Sequence, residues 1–388
     1  MSKPNVLFLG THGQYNWGDE LLLESFLHNF REAANNFYVN TYDIADTQKL
    51  FGSYDITPFH TTGDKAALLR YIWRADLVMF GGGSIVKELN PSYGGARYQT
   101  LNTLNTLTKA ISLFPGKKII YSNIGVGPLK TEKGKKLAYQ ILKRGEVVSL
   151  RDVNSVRLAK EINLKTAYEQ VPDAVFSLTR EYFGLSETPS KKSVSAVTGL
   201  QKVALNLCRN ISNNANWELF QQNLLASLRL LLTRNPTLEL IALPMQYDVE
   251  VNDDLREIKT VFTILKKEFP EATYTYRKPK STRDIVATLE EADLVLAERL
   301  HLLILSTILQ KPFVGLEYNT KVTGLLEDLE LSEFGVKINE EFQAEEIFAK
   351  IELLVSRYDT VRQYLAAVYA RLHQADTEFY ARLKTRFF

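Results

Sequence analysis

The sequence has one cysteine and almost no excess of charge of either sign. A single cysteine, Cys208, excludes an intramolecular disulfide and any zinc site built from several thiolates. Lys and Arg number 47 against 45 Asp and Glu, which gives a formal charge of +2. This balance argues against a nucleic-acid-binding protein, because such proteins carry a basic surface that neutralises phosphates. Any site for an anion must therefore be local.

Long apolar runs are also missing. The N-terminal run Val6–Leu9 is shorter than the core of a signal peptide, and no stretch approaches the roughly 18 apolar residues of a membrane span. We therefore expect a cytoplasmic protein with at most a peripheral contact at the inner membrane face. The basic, aromatic residues 360–388 are the candidate for that contact, although this pattern is more typical of a helix that packs on the body.

The remaining composition, 45% hydrophobic and 11% aromatic, is that of a globular protein with sizeable cores. At about 150 residues per domain, 388 residues predict two domains. Residues 185–202 are rich in Ser, Thr and Lys without an apolar period, and this composition predicts a linker. We expect domains over 1–184 and 203–343, followed by helices over 344–388 that pack back on the body.

Short apolar runs alternate with helical patterns along both predicted domains. The runs Asn5–Gly10, Val147–Leu150 and Ala174–Leu178 predict strands in the first domain, and Leu294–Leu296 and Pro312–Leu316 predict strands in the second. Alternating β and α elements are typical of doubly wound parallel sheets. The expected fold class is therefore α/β, with two Rossmann-like domains that face a cleft and with C-terminal helices.

Three features of the first domain could carry chemistry. Asp19 begins a helical pattern, where it could cap the helix or act as a general base on a sugar hydroxyl. The run Gly81-Gly82-Gly83 follows a buried strand and could bring backbone N–H groups close to a ligand or simply form a tight turn. Arg151 stands at a strand end, where it could grip an anion or pair locally with Asp152.

The strongest local signal of the second domain is Arg299-Leu-His301, placed after a predicted strand and before an apolar helix. Lys321 follows the next predicted strand, so it should lie on the same rim. Arg299, His301 and Lys321 would form an anion pocket. A second Arg-Leu-His, at 371–373, lies within a helical pattern without a preceding strand and is not expected to be functional. The spacing of His, Asp and Glu suggests no metal site.

With these residues in place, the chain resembles the polysaccharide pyruvyl transferase family, enzymes that move the pyruvyl or enolpyruvyl unit of phosphoenolpyruvate onto sugars of bacterial surface polymers. The resemblance extends over most of residues 5–330. Its carriers are short motifs whose order and spacing are specific together: Asn16-Trp-Gly-Asp-Glu20, Phe80-Gly-Gly-Gly83, Gly125-Val-Gly-Pro128, Ser149-Leu-Arg-Asp152, Asp173-Ala-Val-Phe176, Leu243-Pro-Met-Gln246, Ala292-Asp-Leu-Val, Arg299-Leu-His301 and Gly315-Leu-Glu-Tyr-Asn-Thr-Lys321.

The resemblance implies the two-domain GT-B architecture, with the acceptor on the first domain and phosphoenolpyruvate on the second. It implies no redox cofactor and no obligatory metal, and it makes phosphoenolpyruvate a co-substrate and a sugar, lipid-linked, nucleotide-linked or polymeric, the acceptor. His301 would be a phosphate contact or the general acid, and Asp19 the base on the acceptor hydroxyl. The remaining residues expected to bind substrate are Asn16, Gly81, Gly82, Gly83, Arg151, Arg299 and Lys321.

The chain departs from the family pattern at two places. Family members have a small or apolar residue before Arg-Leu-His and an Asp-Pro pair before the lysine, whereas this chain has Glu298 and Asn319-Thr320. Because a carboxylate is unfavourable beside an anion pocket, we expect Glu298 to turn outward or to mark an altered donor site.

Two other functions fit the same pattern. A nucleotide-sugar glycosyltransferase of the same architecture would use Glu298 or Glu317 to bind ribose hydroxyls and Arg or Lys to bind the diphosphate. A non-catalytic paralogue would keep the fold and bind ligand, if any, without turnover.

Overall fold

A computed structural model describes residues 3–61, 63–89, 96–189, 193–208, 214–250, 252–338, 340 and 342–388. The chain divides into two compact units. The first contains Met1–Ser177 together with Leu372–Phe388, and the second contains Leu178–Arg371. The division after Ser177 lies ahead of the segment whose composition predicts the linker, and the end of the chain belongs to the first unit.

The first unit is a parallel sheet covered by helices. Its strands are β1 Asn5–Leu9, β2 Asn36–Thr41, β3 Ile56–His60, β4 Leu77–Gly81, β5 Lys118–Ile124, β6 Val147–Leu150 and β7 Tyr168–Gln170. Its helices before the C-terminal segment are α1 Trp17–Phe30, α2 Ile44–Phe51, α3 Lys65–Arg74, α4 Gln99–Ile111, α5 Glu132–Leu142 and α6 Val153–Glu161. Within the described residues the strands pair in the order β3-β2-β1-β4-β5-β6-β7.

The second unit repeats this design. Its strands are β8 Lys202–Asn206, β9 Glu239–Ala242, β10 Thr273–Tyr276, β11 Leu294–Ala297, β12 Phe313–Leu316 and β13 Gly335–Val336. Its helices are α7 Asn214–Arg234, α8 Asp254–Glu268, α9 Thr282–Glu291, α10 Leu300–Ile308, α11 Thr320–Asp328 and α12 Glu346–Ser356. The strands that the structure describes pair in the order β10-β9-β8-β11-β12-β13.

Both sheets change direction of winding beside their first strand, at β1 and β4 in one unit and at β8 and β11 in the other. Every pairing between these strands is parallel. In such sheets a ligand binds at the carboxyl ends of the strands, next to the point of reversal. The expected α/β class with two Rossmann-like units is confirmed. The predicted site residues fall in the loops after the strands or in the first turns of the helices that follow them.

One predicted strand is wrong. Residues Ala174–Ser177 form a short 3-10 turn in place of the strand expected over Ala174–Leu178. Asp173 closes the turn, because its side chain accepts a hydrogen bond from the Val175 N–H at 3.2 Å and its carbonyl accepts one from the Phe176 N–H at 2.9 Å. All four turn residues are buried. A short apolar run does not distinguish a buried strand from a buried turn by periodicity.

The last helix, α13 Tyr358–Phe387, begins in the second unit and ends in the first. Aromatic side chains near its end pack in the first unit: Tyr380 is 1% exposed and meets Phe26 and Phe30 edge-on. The basic side chains of its end pair with acidic residues of the first unit, Arg382 with Glu169 and Arg386 with Glu146. No helix in the described part of the chain is long and apolar enough to cross a membrane.

Tyr380→Ala should lower the free energy of unfolding by about 3–5 kcal/mol, because it leaves a cavity between α13 and α1. Tyr380→Phe should cost only about 1 kcal/mol, because it keeps the ring and removes only the hydroxyl, which donates to Asn123 Oδ1 at 3.2 Å. Urea unfolding measures both, with the exposed Glu378→Ala on the same helix as control. Equal losses for the two Tyr380 variants would contradict the packing role of this helix.

Candidate active site

The first candidate region is the start of α1 in the first unit. Asn16 caps this helix, since its side chain accepts from the Gly18 N–H at 3.1 Å and donates from Nδ2 to Asp19 Oδ2 at 2.9 Å. The prediction that Asp19 could be the cap is therefore wrong. Asp19 stands at the third position of the helix, half-buried, with its carboxylate oriented by the cap.

The loop before α1 holds two buried titratable groups. Burial lowers the pKa of His12 to about 4, so its ring is neutral at pH 7. Burial also raises the pKa of Glu20 to about 8, against the hydrogen bond that its Oε1 accepts from the Gly13 N–H at 2.8 Å. Both groups are therefore uncharged at neutral pH.

The three glycines after β4 have different reasons to be glycine. A Cβ on Gly81 would lie 2.3 Å from Phe8 Cζ, and one on Gly82, whose φ is +65°, would lie 2.7 Å from Leu22 Cδ1. Close packing in a tight turn, one of the two predicted roles of this loop, thus explains why Gly81 and Gly82 are glycines. Among the described residues, a Cβ on Gly83, whose φ is +63°, would meet only Asp19 Oδ1 at 3.7 Å and Leu22 at 4.0 Å within 4 Å. Gly83 is therefore the glycine that borders the Asp19 carboxylate.

Arg151 lies at the end of β6, but its guanidinium is engaged within the protein. Its side chain is 3% exposed; Nη1 pairs with Asp173 at 2.9 Å and Nε with Asp152 at 3.4 Å. Nη2 donates to Ser84 Oγ at 3.2 Å. A Cβ on Gly125 would lie 2.5 Å from Ser84 Oγ, so a glycine there lets the arginine reach the glycine loop. Arg151 therefore holds the glycine loop in place through its hydrogen bond to Ser84.

Sequence reasoning missed Lys87, which follows the same glycine loop. Burial lowers the pKa of Lys87, the nearby Asp19 opposes that effect and the nearby Arg151 adds to it. A single lysine in the otherwise apolar stretch Ile85-Val86-Lys87, four residues after Gly83, was the signal. Lys87 and Asp19 thus place one positive and one negative group at the carboxyl edge of the first sheet.

The second candidate region is the carboxyl edge of the second sheet. Strands β11 and β12 are hydrogen-bonded neighbours, with Ala297 opposite Gly315. Helices α10 and α11 follow them directly, so their N-termini lie at the same edge. His301 is the second residue of α10 and Lys321 the second of α11. Two helix N-termini, an imidazole and an ammonium therefore border this edge, which favours an anion.

Arg299 has a different environment from the one expected. Its guanidinium pairs with the fully buried Asp254 at the start of α8, Nη2 lying 2.6 Å from Oδ1 and Nε 3.2 Å from each oxygen. Nη2 also donates to Gln246 Oε1 at 3.2 Å. The charge of Arg299 is therefore neutralised inside the protein, and the structure brings only His301 and Lys321 of the predicted trio to the edge as candidates for contact with an anion.

Glu298 is fully buried, so the expected outward turn is wrong. Its Oε2 accepts from Cys208 Sγ at 3.3 Å, and its Oε1 has no hydrogen-bond partner within the described residues. Burial raises the pKa of Glu298 well above its ordinary value and thus favours the neutral carboxyl form. This shift lowers the cost of a carboxyl group near an anion, because the neutral form does not repel the anion.

The second departure from the family pattern, Asn319-Thr320 in place of Asp-Pro, leaves the start of α11 unchanged. Asn319 caps this helix, its Oδ1 accepting from the N–H groups of Lys321 at 3.0 Å and Val322 at 3.3 Å. Asp and Asn are equally good caps, and Pro is favoured at the first helical position, where Thr320 stands. Asn-Thr and Asp-Pro thus place the lysine at the same point of the helix.

Three solved structures resemble the whole chain. Alr3699/HepE of Anabaena, in complex with UDP, aligns with a TM-score of 0.58 and 14% identity over 98% of each chain. MnaA of S. aureus, bound to UDP, aligns with 0.57 and 10% over 93% of this chain and 90% of that one. The N-terminal domain of trehalose-6-phosphate phosphatase of Candida albicans aligns with 0.57 and 13% over 100% and 97%. Together with the two Rossmann-like units, these likenesses define a GT-B fold.

Comparison of the sequence with protein families identifies the family of this chain. Residues 16–320 match the polysaccharide pyruvyl transferase family, and the chain belongs to it. The matched span includes Asn16, the glycine loop, Arg151 and the Arg299-Leu-His301 motif, and it ends one residue before Lys321. No curated relative matches the chain in sequence. Among the described residues, no group of three or more His, Cys, Asp or Glu side chains could hold a metal ion.

Arg299→Met should lower the free energy of unfolding by about 3–5 kcal/mol, because it leaves Asp254 buried without a counter-charge. Adding Asp254→Asn should recover much of that loss. Lys321→Met, at the edge of the site, should change stability by less than about 1 kcal/mol. Urea unfolding of the four proteins measures this; a stable Arg299→Met protein would contradict the structural role of the ion pair.

Glu298→Gln should gain stability relative to the unmodified protein as pH rises from about 5 to about 8. The pKa of Glu298 is raised on folding, so the folded state holds a proton that the unfolded state releases above its ordinary value near 4.5. The unmodified protein therefore loses stability as the pH rises. The glutamine variant does not, because its amide does not titrate. Urea unfolding at several pH values, with the exposed Glu187→Gln as control, measures the difference. A pH-independent difference would show that Glu298 is ionised in the folded state.

Proposed function

We propose that this chain transfers the pyruvyl unit of phosphoenolpyruvate to hydroxyls of a sugar destined for a surface polysaccharide, with a cyclic ketal as product. The observation that carries the proposal is the pair of helix N-termini at the edge of β11 and β12, which bear His301 and Lys321. Membership of the polysaccharide pyruvyl transferase family supports the reaction class.

Phosphoenolpyruvate carries two anionic groups, a phosphate and a carboxylate, and this edge offers two kinds of anion site. The first N–H groups of α10 can donate to oxygen atoms of an anion, because no side chain among the described residues caps this helix, whose cap residue is Arg299. At α11 the cap Asn319 already accepts from the N–H groups of Lys321 and Val322. Lys321 supplies a positive charge beside them. The raised pKa of Glu298 favours the neutral carboxyl and thereby reduces competing negative charge near this edge.

The proposed chemistry requires one acid and one base. His301 gives a proton to C3 of phosphoenolpyruvate, which becomes a methyl group and leaves C2 electrophilic. A sugar hydroxyl attacks C2 and loses its proton to Asp19. The C2–O bond to phosphate then breaks, phosphate leaves with its electron pair, and a neighbouring hydroxyl adds to C2 to close the ketal. Its proton accompanies the released phosphate, and exchange with water carries the proton from Asp19 back to His301, so atoms and charges balance and both residues return to their starting states.

The two arginines take positioning roles in this proposal. Arg299 orders the start of α10 through Asp254 and Gln246, and thereby the position of His301. Arg151 holds the glycine loop through Ser84, and thereby the backbone that borders Asp19. We assign the acceptor to the first unit, where Asn16, Asp19, Gly83 and Lys87 lie together at the sheet edge.

A nucleotide-sugar glycosyltransferase is the second candidate. The likeness to proteins bound to UDP favours it, although a likeness at 10–14% identity speaks only for the fold. Glu317, at the end of β12, is the residue that could bind a ribose: a Cβ on Gly335 would lie 2.1 Å from its Oε1, so the glycine makes room for this carboxyl. Glu298 is a poor candidate for binding ribose, because it is fully buried and accepts a hydrogen bond from Cys208.

Phosphoenolpyruvate should raise the melting temperature of the protein, and UDP, UDP-sugars and GDP-sugars should not. A ligand at 100 times its dissociation constant adds about 2.7 kcal/mol of stability. In His301→Ala and Lys321→Met the ligand-induced shift should shrink, because each removes a donor to the anion. His373→Ala is the matched control, since it alters the other Arg-Leu-His sequence, where Nδ1 meets the Phe176 carbonyl at 2.9 Å.

A shift with UDP-sugars alone would overturn the proposal in favour of glycosyl transfer. A shift with phosphoenolpyruvate that His301→Ala leaves intact would remove His301 from the site. Release of inorganic phosphate from phosphoenolpyruvate in the presence of a sugar acceptor separates an enzyme from a non-catalytic paralogue, which binds without turnover.

A further inference from the structure

The helices on one face of the first unit carry an unusual charge for this protein. Helices α3, α4 and α5 share one buried core cluster, to which they contribute Ala67 and Ile72, Leu101 and Leu104, and Ala138 and Ile141. They therefore cover the same side of the sheet. We call the outward side of these three helices the α3–α5 face.

Positive residues dominate this face. The three helices contain seven Lys or Arg and one acidic residue, whereas the whole chain has 47 against 45. Lys135 is paired with Glu132 and Glu161, which leaves six basic residues, all exposed. These are Lys65, Arg70, Arg74, Lys109, Lys133 and Lys136.

Large apolar side chains stand exposed among these charges. Leu69 is 53% exposed and Trp73 is 68% exposed, and they lie one turn apart on the same side of α3. Leu113, in the turn after α4, is 76% exposed. Lys117 ties that turn to the end of α3, because its Nζ donates to the carbonyls of Trp73 at 2.7 Å and Ala75 at 2.6 Å. The apolar residues thus belong to one surface.

We propose that the α3–α5 face docks on an anionic lipid surface, with Leu69, Trp73 and Leu113 entering the headgroup region. Basic residues that surround exposed Trp and Leu are the composition that membrane interfaces favour. A soluble polyanion complements the charge but leaves the apolar side chains in water. The contact lies on α3 and α4, not on the end of α13, whose Phe379 and Tyr380 are buried. It does not depend on the reaction proposed above.

Co-sedimentation of the full chain with vesicles tests this contact. The protein should bind vesicles of phosphatidylcholine mixed with phosphatidylglycerol, should not bind phosphatidylcholine alone, and should be released by salt. Arg70→Glu with Arg74→Glu should weaken binding on the order of 30-fold or more, since each basic residue near the surface contributes roughly five-fold. Arg256→Glu, a charge reversal of an exposed side chain on α8, is the matched control and should bind normally.

Tryptophan fluorescence tests the apolar part. Trp73 is the exposed tryptophan, since Trp17 is half-buried and Trp217 is 6% exposed, so anionic vesicles should shift the emission of the protein to shorter wavelength and Trp73→Phe should abolish the shift. Leu69→Ser with Leu113→Ser should weaken binding, and Tyr276→Ser, at an exposed aromatic of the second unit, should not. The melting-temperature shift with phosphoenolpyruvate should persist in all of these variants.

Three results would overturn the proposal. The first is no binding of the unmodified protein to anionic vesicles. The second is binding that the α3 variants leave unchanged, which would place the contact elsewhere. The third is a Trp73 shift that appears with protein concentration in the absence of lipid, together with a dimer in light scattering, which would assign the face to a second copy of this chain.

Discussion

The buried ion pair between Arg299 and Asp254 holds the second unit's site together. Asp254 begins α8, and its Oδ2 also accepts from the Met245 N–H after β9 and from Asn206 Nδ2 at the end of β8. Arg299 precedes α10, and its N–H donates to Asn206 Oδ1. Two charges thus connect the ends of three strands and the starts of two helices. An ion pair this deeply buried is stable only when its geometry is complete, so the segments that contribute to it must form together.

Several buried carboxyl groups are shifted toward the neutral form rather than held in ion pairs. Glu20 and Glu298 lie at the carboxyl edges of the two sheets, and burial raises the pKa of each. Asp376 of α13, which accepts from Asn123 Nδ2 at 2.8 Å, follows the same rule in the first unit. The raised pKa values favour the uncharged form of these acidic side chains, so each can be buried without a positive partner of its own. A residue that looks unfavourable in the sequence is acceptable because its surroundings change its protonation.

The sequence was sufficient for the architecture and for part of the site. Strongly apolar strands such as Val147–Leu150 were predicted to the residue. Strands β2, β3, β7, β10 and β13 were missed, because they are very short or rich in polar residues and so lack a continuous apolar run. The positions of His301 and Lys321 after two predicted strands correctly indicated that both lie at the carboxyl edge of the second sheet. The partners of Arg299 and Arg151 could not be predicted, since Asp254 and Asp173 are 45 and 22 residues away along the chain. Family motifs identify which residues matter without telling which of them touch a ligand.

The path of α13 has a consequence for synthesis. The first unit consists of the first 177 residues and the last 17, and the latter bring Phe379 and Tyr380 into its core. A ribosome releases these last residues only after the whole second unit has emerged. The first unit therefore waits for its final helix while the second can already complete its sheet, so the part of the chain made first is the part that finishes folding last. Until then α1 exposes the apolar surface that Tyr380 later covers, and a nascent chain truncated before α13 would present that surface to chaperones.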